Sequence, residues 1–311
     1  VGFRSPIFPL ACWLAATAVA QEETTAEPKQ GRTLTAAQIA QRLEQVKQEL
    51  LPKVASDKVL HSEEERKKYF AKWQAVTSEH YLLFTNGPTD SCKKYAVTLE
   101  EQYARVKKEL PFDDLDHLLT CYIFADAEDY YRFSVAISGF TEQGARGTAG
   151  HANGQYYVTY YTSPTSSVVF HESTHQIVHA CLKVPGVGSW FQEGTAVYFQ
   201  KKAGNEKPAG EIKNDLKRGD CYPLEKLFAI EVLLSDPNGL RNYRQAGALL
   251  DFLINTKLEP VAGKFKEFLA AARQGRGFGR GAEVSAKLIK DVYGLTVPEL
   301  EALWRKHVGL K

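Results

Sequence analysis

The chain has 311 residues, 44% of them hydrophobic, enough to build the core of one large domain or of two closely apposed lobes. Its 39 Lys and Arg against 37 Asp and Glu leave a formal charge of +2. Near balance excludes the class of functions that needs concentrated positive charge, so no nucleic-acid partner is expected. No internal repeat and no long linker interrupts the pattern.

In chain order, an apolar run from Ile7 to Val19 follows Arg4 and ends in Ala18-Val19-Ala20. This is the form of a secretory signal peptide (1–20), too short and too soon interrupted for a spanning helix, so stable membrane insertion is not expected and the mature protein is placed outside the cytoplasm, secreted or periplasmic. Residues 21–33 read as a disordered polar linker. N-terminal helices then fill 34–78. Leu34, Ile39, Leu43, Val46, Leu50 and Val54 recur at helical intervals, and Ser62 followed by Glu63-Glu64-Glu65 caps a second helix.

An α/β lobe is expected over 79–202 and a helical lobe over 203–311. His80 to Thr85 and Leu118 to Phe124 read as strands flanking a helix from Ser91 to Leu110. Gly144 to Gly154 reads as a mobile loop. Gly154 to Thr162 is tyrosine-rich and β-branched, a strand expected to offer an edge where an extended peptide could bind. Downstream, helices are expected at Leu224 to Leu234, Tyr243 to Ile254, Phe265 to Ala272 and Val297 to Val308, with a glycine turn at Gly275 to Gly281. Lys201-Lys202, Lys207 and Lys213 to Arg218 make a local basic patch, read as a solvated face.

The most informative segment is His171-Glu172-Ser173-Thr174-His175, followed by Trp190-Phe191-Gln192-Glu193-Gly194. Residues four apart in a helix lie one above the other, about 6 Å along the axis, so His171 and His175 can converge on one ion. Glu193, on a second helix beyond the Pro185 to Gly188 break, can supply a third metal ligand; its plainer reading is a carboxylate at a helix start. Three protein ligands leave a position open, which distinguishes a catalytic Zn2+ site from a structural one. Glu172 sits beside the pair without occupying a ligand position and can act as the base that activates water. His179, a further turn along, reads as a packed histidine.

The stretch VFHESTHQIVHACLKVPGVGSWFQEGTAVYFQK, Val169 to Lys201, resembles the core of the peptidase MA-like gluzincins, particularly a secreted group common in planctomycete-type bacteria. More weakly, the likeness runs from about Glu79 to Leu310. It implies an α+β gluzincin-like metallopeptidase fold: a small mixed β-sheet with the zinc helix, followed by a mainly helical C-terminal lobe. It also implies that His171, His175 and Glu193 hold zinc, that Glu172 is the base, and that the substrate is a peptide or protein. Asn242 to Leu250 resembles the helix that follows the ligand glutamate in this group. From it Tyr243 is the candidate donor to the developing oxyanion, its alternative being a half-buried aromatic. Arg241 and Arg244 either meet a substrate carboxylate or face water.

Two other functions stay open: a non-catalytic extracellular binding or structural module on the same body, and an amidase acting on cell-wall peptides. Beyond residue 20 the cysteines are Cys92, Cys121, Cys181 and Cys221. An even number in an exported chain points to disulfides, with Cys92–Cys121 and Cys181–Cys221 favoured because each pair stays within one half of the fold. Four reduced thiols are the alternative.

Overall fold

A computed structural model describes residues 33–56, 59–184, 186–206, 212–274 and 281–310. The signal peptide, nearly all of the polar linker, Lys207 and most of the glycine turn lie outside the described residues. The chain divides into two compact units, one of Val1–Glu100 with Leu115–Ser166, the other of Glu101–Asp114 with Ser167–Lys311. This differs from the expected boundary near residue 202: the helix carrying His171 belongs with the C-terminal helices, not with the sheet.

The first unit begins with α1 (Ala36–Gln45), which runs through a π-turn at Val46–Leu50 into α2 (Leu51–Val54). Thr35 and Gln38 close a capping box at its start, satisfying free backbone N–H groups of the first turn. Ser62 and Glu65 do the same for α3 (Glu63–Ala71), as its sequence foretells. Strands β1 (Gln74–Thr77) and β2 (Tyr81–Thr85) form an antiparallel pair. The helix α4 (Thr89–Glu109) leads to β3 (Leu119–Phe124), which is parallel to β2. Next come α5 (Ala127–Ala136), capped by Asp126, α6 (Glu142–Arg146), β4 (Gly150–Ala152) and β5 (Tyr156–Tyr160). The mixed sheet has the order β1-β2-β3-β5-β4.

Side chains two apart share a face of a strand. Leu82, Phe84, Tyr122, Phe124 and Val158 therefore point to one side, where they pack with Trp73, Tyr130 and Phe133. Tyr81, Leu83, Cys121, Ile123 and Tyr157, on the alternate positions, are buried as well. Burial on both faces is why β2 and β3 read as continuous apolar runs.

Two expectations need correcting here. The tyrosine-rich strand β5 is not an edge, because β3 pairs with it in parallel and β4 in antiparallel fashion. The segment expected as a mobile loop supplies that outer neighbour: backbone pairing of Gly150, His151 and Ala152 overrides the glycine content. Leu224 to Leu234 is likewise not one helix. It is α10 (Leu224–Ala229) and a 3-10 turn at Leu233–Ser235, since Ile230 takes an extended backbone.

The second unit holds the latter part of α4 and α7 (Ser167–Ile177), which continues as a π-turn over Val178–Leu182. Then come α8 (Ser189–Ala203), α9 (Ile212–Lys217), α10, α11 (Gly239–Asn255), α12 (Phe265–Gln274), α13 (Gly281–Tyr293) and α14 (Val297–His307). Overall the protein is α+β, mainly helical, with a small mixed sheet. Among the described residues no helix is long and apolar enough to cross a membrane.

The disulfide expectation is not met: Cys92, Cys121, Cys181 and Cys221 are all free thiols. Cys181 lies near Tyr103 and Asp114, whereas Cys221 lies near Asp215 and Arg305, so their surroundings do not coincide. Cys92 and Cys121 do sense each other inside the first unit but are not bonded. Burial pushes Cys92 up to about 12 and Cys181 and Cys221 to about 11, which keeps them protonated and unreactive.

Candidate metal centre

Three helices of the second unit build the site. α7 presents His171 and His175 one turn apart, α8 presents Glu193 in its second turn, and α11 brings Tyr243 alongside. The α7 helix is held rigidly by buried polar contacts. Gln102, from α4, donates to Thr174 Oγ1 at 2.8 Å and to the Phe170 carbonyl at 3.2 Å. Ser173 and Thr174 return their hydroxyls to the carbonyls of Val169 and Phe170, each at 2.6 Å, so that no buried hydroxyl on this helix competes for the site.

α8 and α11 cross at glycines. A Cβ on Gly194 would lie 2.7 Å from the Ala246 carbonyl oxygen, and one on Gly247 would lie 2.5 Å from Val197 Cγ1. Each helix thus uses a glycine where the other comes closest. This approach sets Tyr243 beside Glu193, the residue immediately before Gly194.

At the centre, His175 Nε2 lies 3.2 Å from His171 Nε2 and 3.2 Å from Glu193 Oε2, and His171 Nε2 lies 3.3 Å from the same oxygen. Three lone-pair atoms make a nearly equilateral triangle. Protons cannot link all three along straight lines, whereas one cation above the triangle satisfies them together. Tetrahedral arms of about 2.0 Å, the usual length for zinc with imidazole and carboxylate, separate ligand atoms by about 3.3 Å. The donor set and its spacing therefore fit a metal ion: the His171, His175 and Glu193 group can hold one. The three side chains keep 14, 11 and 13% of their exposure, so the site is recessed without being sealed.

The electrostatics agree with the geometry. Burial opposes a charge on His175, but the Glu193 carboxylate outweighs it and lifts the imidazole to about 9. Burial likewise raises Glu193, and the two histidines more than reverse that, holding the carboxyl far below its usual range. Tyr243 is pushed far up by burial, then by the nearby Glu193 and Glu172 carboxylates. Glu172 raises both His175 and Tyr243, so its carboxylate lies within electrostatic reach of them.

Of the candidates named from sequence, His171, His175 and Glu193 meet, Tyr243 stacks on His171, and Glu172 lies within electrostatic reach. His179 stays outside the ligand group; burial and the neighbouring His175 push it down to about 4. Arg244 is engaged by Asp215, with Nη2 at 3.0 Å and Nε at 3.2 Å, and Arg241 approaches Asp220 at 3.8 Å. Both arginines are thus committed to carboxylates of their own unit. In the basic patch Lys201 pairs with Glu206 at 2.7 Å and Lys202 with Glu109. One close neighbour was missed from sequence: Gln200 Oε1 lies 3.0 Å from His171 Nδ1. Its position two turns after Glu193 is the only signal that could have found it.

No protein-family model and no curated protein matches the chain.

Proposed function

We propose that this chain is a zinc-dependent hydrolase of peptide bonds, of gluzincin type. The observation that carries the reading is the triangle of two imidazole nitrogens and one carboxylate oxygen with edges of 3.2 to 3.3 Å. Zinc is favoured over harder cations because two of the three donors are neutral imidazoles. Asymmetry of the flanking groups favours catalysis over a structural role: a second carboxylate, Glu172, and a phenol, Tyr243, lie near the ligand set without belonging to it.

When bound, zinc supplies the Lewis acidity that polarises the scissile carbonyl and makes water more acidic. Glu172 takes the proton of the attacking water and delivers it to the leaving amine. Tyr243, whose pKa is raised far above any working pH, acts only as a donor, and its O–H is available to the oxygen on which negative charge develops. His171, His175 and Glu193 would hold the zinc in register with both groups. The proposal includes export, supported by the apolar segment before Gln21.

Metal analysis of the purified protein, with a mixed peptide library as substrate, tests the reading. One equivalent of zinc is expected, with hydrolysis that chelation abolishes. Glu172→Gln is expected to keep the zinc and lose activity by roughly 10²–10⁴-fold. Absence of bound metal, or undiminished hydrolysis by the Glu172→Gln variant, rejects it.

A further inference from the structure

We infer that Gln200 is the positioning residue for His171: its amide oxygen accepts the Nδ1 proton, fixing the tautomer in which Nε2 presents its lone pair to the metal. This rests on the metal reading above and adds a residue that the ligand motif does not contain.

The geometry carries it. Gln200 Oε1 stands 3.0 Å from His171 Nδ1, while His171 Nε2, at the opposite corner of the ring, is the atom 3.2 Å from His175 and 3.3 Å from Glu193. Seven residues of α-helix turn through about 700°, close to two full turns, so Glu193 and Gln200 share one face of α8. The two contacts pair in opposite directions: His175 meets Glu193, and the earlier His171 meets the later Gln200. That is the register of antiparallel helices, so one helix face delivers both the third ligand and the group that orients the first.

The amide can point either end at the ring, and only one end is compatible with ligation. If its NH₂ donated to Nδ1, the ring proton would have to sit on Nε2, aimed into the triangle, and that nitrogen could not bind a cation. With the carbonyl oxygen facing the ring, Nδ1 donates and Nε2 is bare. Outer partners of ligating histidines act in this way, setting tautomer, orientation and basicity. An amide differs from a carboxylate in adding no charge, so it orients His171 while strengthening the imidazole as a donor less than a carboxylate would.

The test compares wild type with Gln200→Met, which keeps length but has no strong acceptor, and Gln200→Glu, which keeps the acceptor. Zinc affinity is measured by competition with a chromogenic chelator, and the His171 tautomer by 15N–1H spectra of the zinc-loaded wild-type protein. Gln200→Met is expected to bind zinc about 10- to 100-fold more weakly, with Gln200→Glu at least as tight as wild type. In the Gln200→Glu variant the acid limb of the kcat/KM profile is also expected to move to higher pH. The wild-type spectrum is expected to show the His171 proton on Nδ1. Wild-type affinity in Gln200→Met, weakening by Gln200→Glu equal to that of Gln200→Met, or a proton on Nε2 each overturns the role of Gln200 while leaving the metal centre standing. The spectrum decides the matter even if Gln200→Met does not fold. A wild-type protein that takes up no zinc overturns the metal reading itself, and this assignment with it.

Discussion

The Tyr243 ring lies parallel to the imidazole of His171, with centroids 6.0 Å apart and planes inclined by 12°. Under the proposed function a phenol stacked in this way would serve two ends: the ring limits the swing of His171, and the hydroxyl is a donor near Glu193. Tyr243→Phe separates them, because it keeps the ring and removes only the O–H. Zinc content should be unchanged while kcat falls by roughly 10²–10³-fold, the usual effect of losing one oxyanion donor. Steady-state kinetics on a cleaved peptide would decide, and an unaltered kcat would return Tyr243 to a packing role.

Glu193 has a different signature, visible in the metal-free protein. His175 there is lifted to about 9, above the 6.5 of an unstructured histidine, so its pairing with Glu193 stabilises the fold fully below pH 6.5 and loses that contribution as pH rises toward 9. A metal ion must displace this proton, so zinc binding at pH 7 should release it. Calorimetry in buffers of different ionisation enthalpy would detect the release. Glu193→Ala should abolish most of it and weaken zinc binding by roughly 100-fold or more, since a ligand counts for at least as much as its outer partner.

Gly194 is the glycine at the centre that meets backbone rather than a side chain. Its Cβ would stand 2.7 Å from the Ala246 carbonyl oxygen, a backbone atom that can retreat only if α11 moves. Gly194→Ala should cost roughly 1–3 kcal/mol of stability, typical of overpacking, and lower Tm by several degrees. It should also weaken zinc binding, because the carboxylate ligand is the adjoining residue. Gly204→Ala is the control: its Cβ would meet a flexible Glu206 oxygen at 3.4 Å and should leave both quantities near wild type.

In the first unit, burial pushes His151 down to about 4. The neutral ring lies 2.8 Å from Ser138 Oγ through Nε2 and 3.2 Å from the Tyr130 hydroxyl through Nδ1. An unfolded histidine protonates near 6.5 while this one does not, so its contribution is complete above pH 6.5 and is lost as pH falls from there toward 4. The difference corresponds to about 3 kcal/mol. Denaturant melts across that range should show the decline. His151→Gln should flatten part of it, with buried His179 retaining its own share.

Much of this architecture could be read without coordinates, for reasons that are local. Ser62 announces its helix because a capping hydroxyl acts on backbone three residues away. Leu118 to Phe124 reads as a strand, one residue longer than β3 (Leu119–Phe124), because burial on both faces requires an unbroken apolar run. β1 and β4 escaped notice: a strand of three or four residues has too little pattern of its own and exists because a longer neighbour pairs with it. The cysteine count misled, because parity says nothing about which thiols meet.

By itself the sequence determined that His171 and His175 share a helix face and that Glu172 lies next to them, since a four-residue interval in an α-helix leaves the side chains no other arrangement. Only the tertiary structure decided that Glu193 completes a triangle with edges near 3.2 Å, that Tyr243 stacks on His171, and that Gln200 reaches its far nitrogen. Those relations depend on how closely α8 approaches α7 and α11. Gly194 and Gly247, far apart along the chain, set the approach of α8 to α11, and no local spacing encodes it.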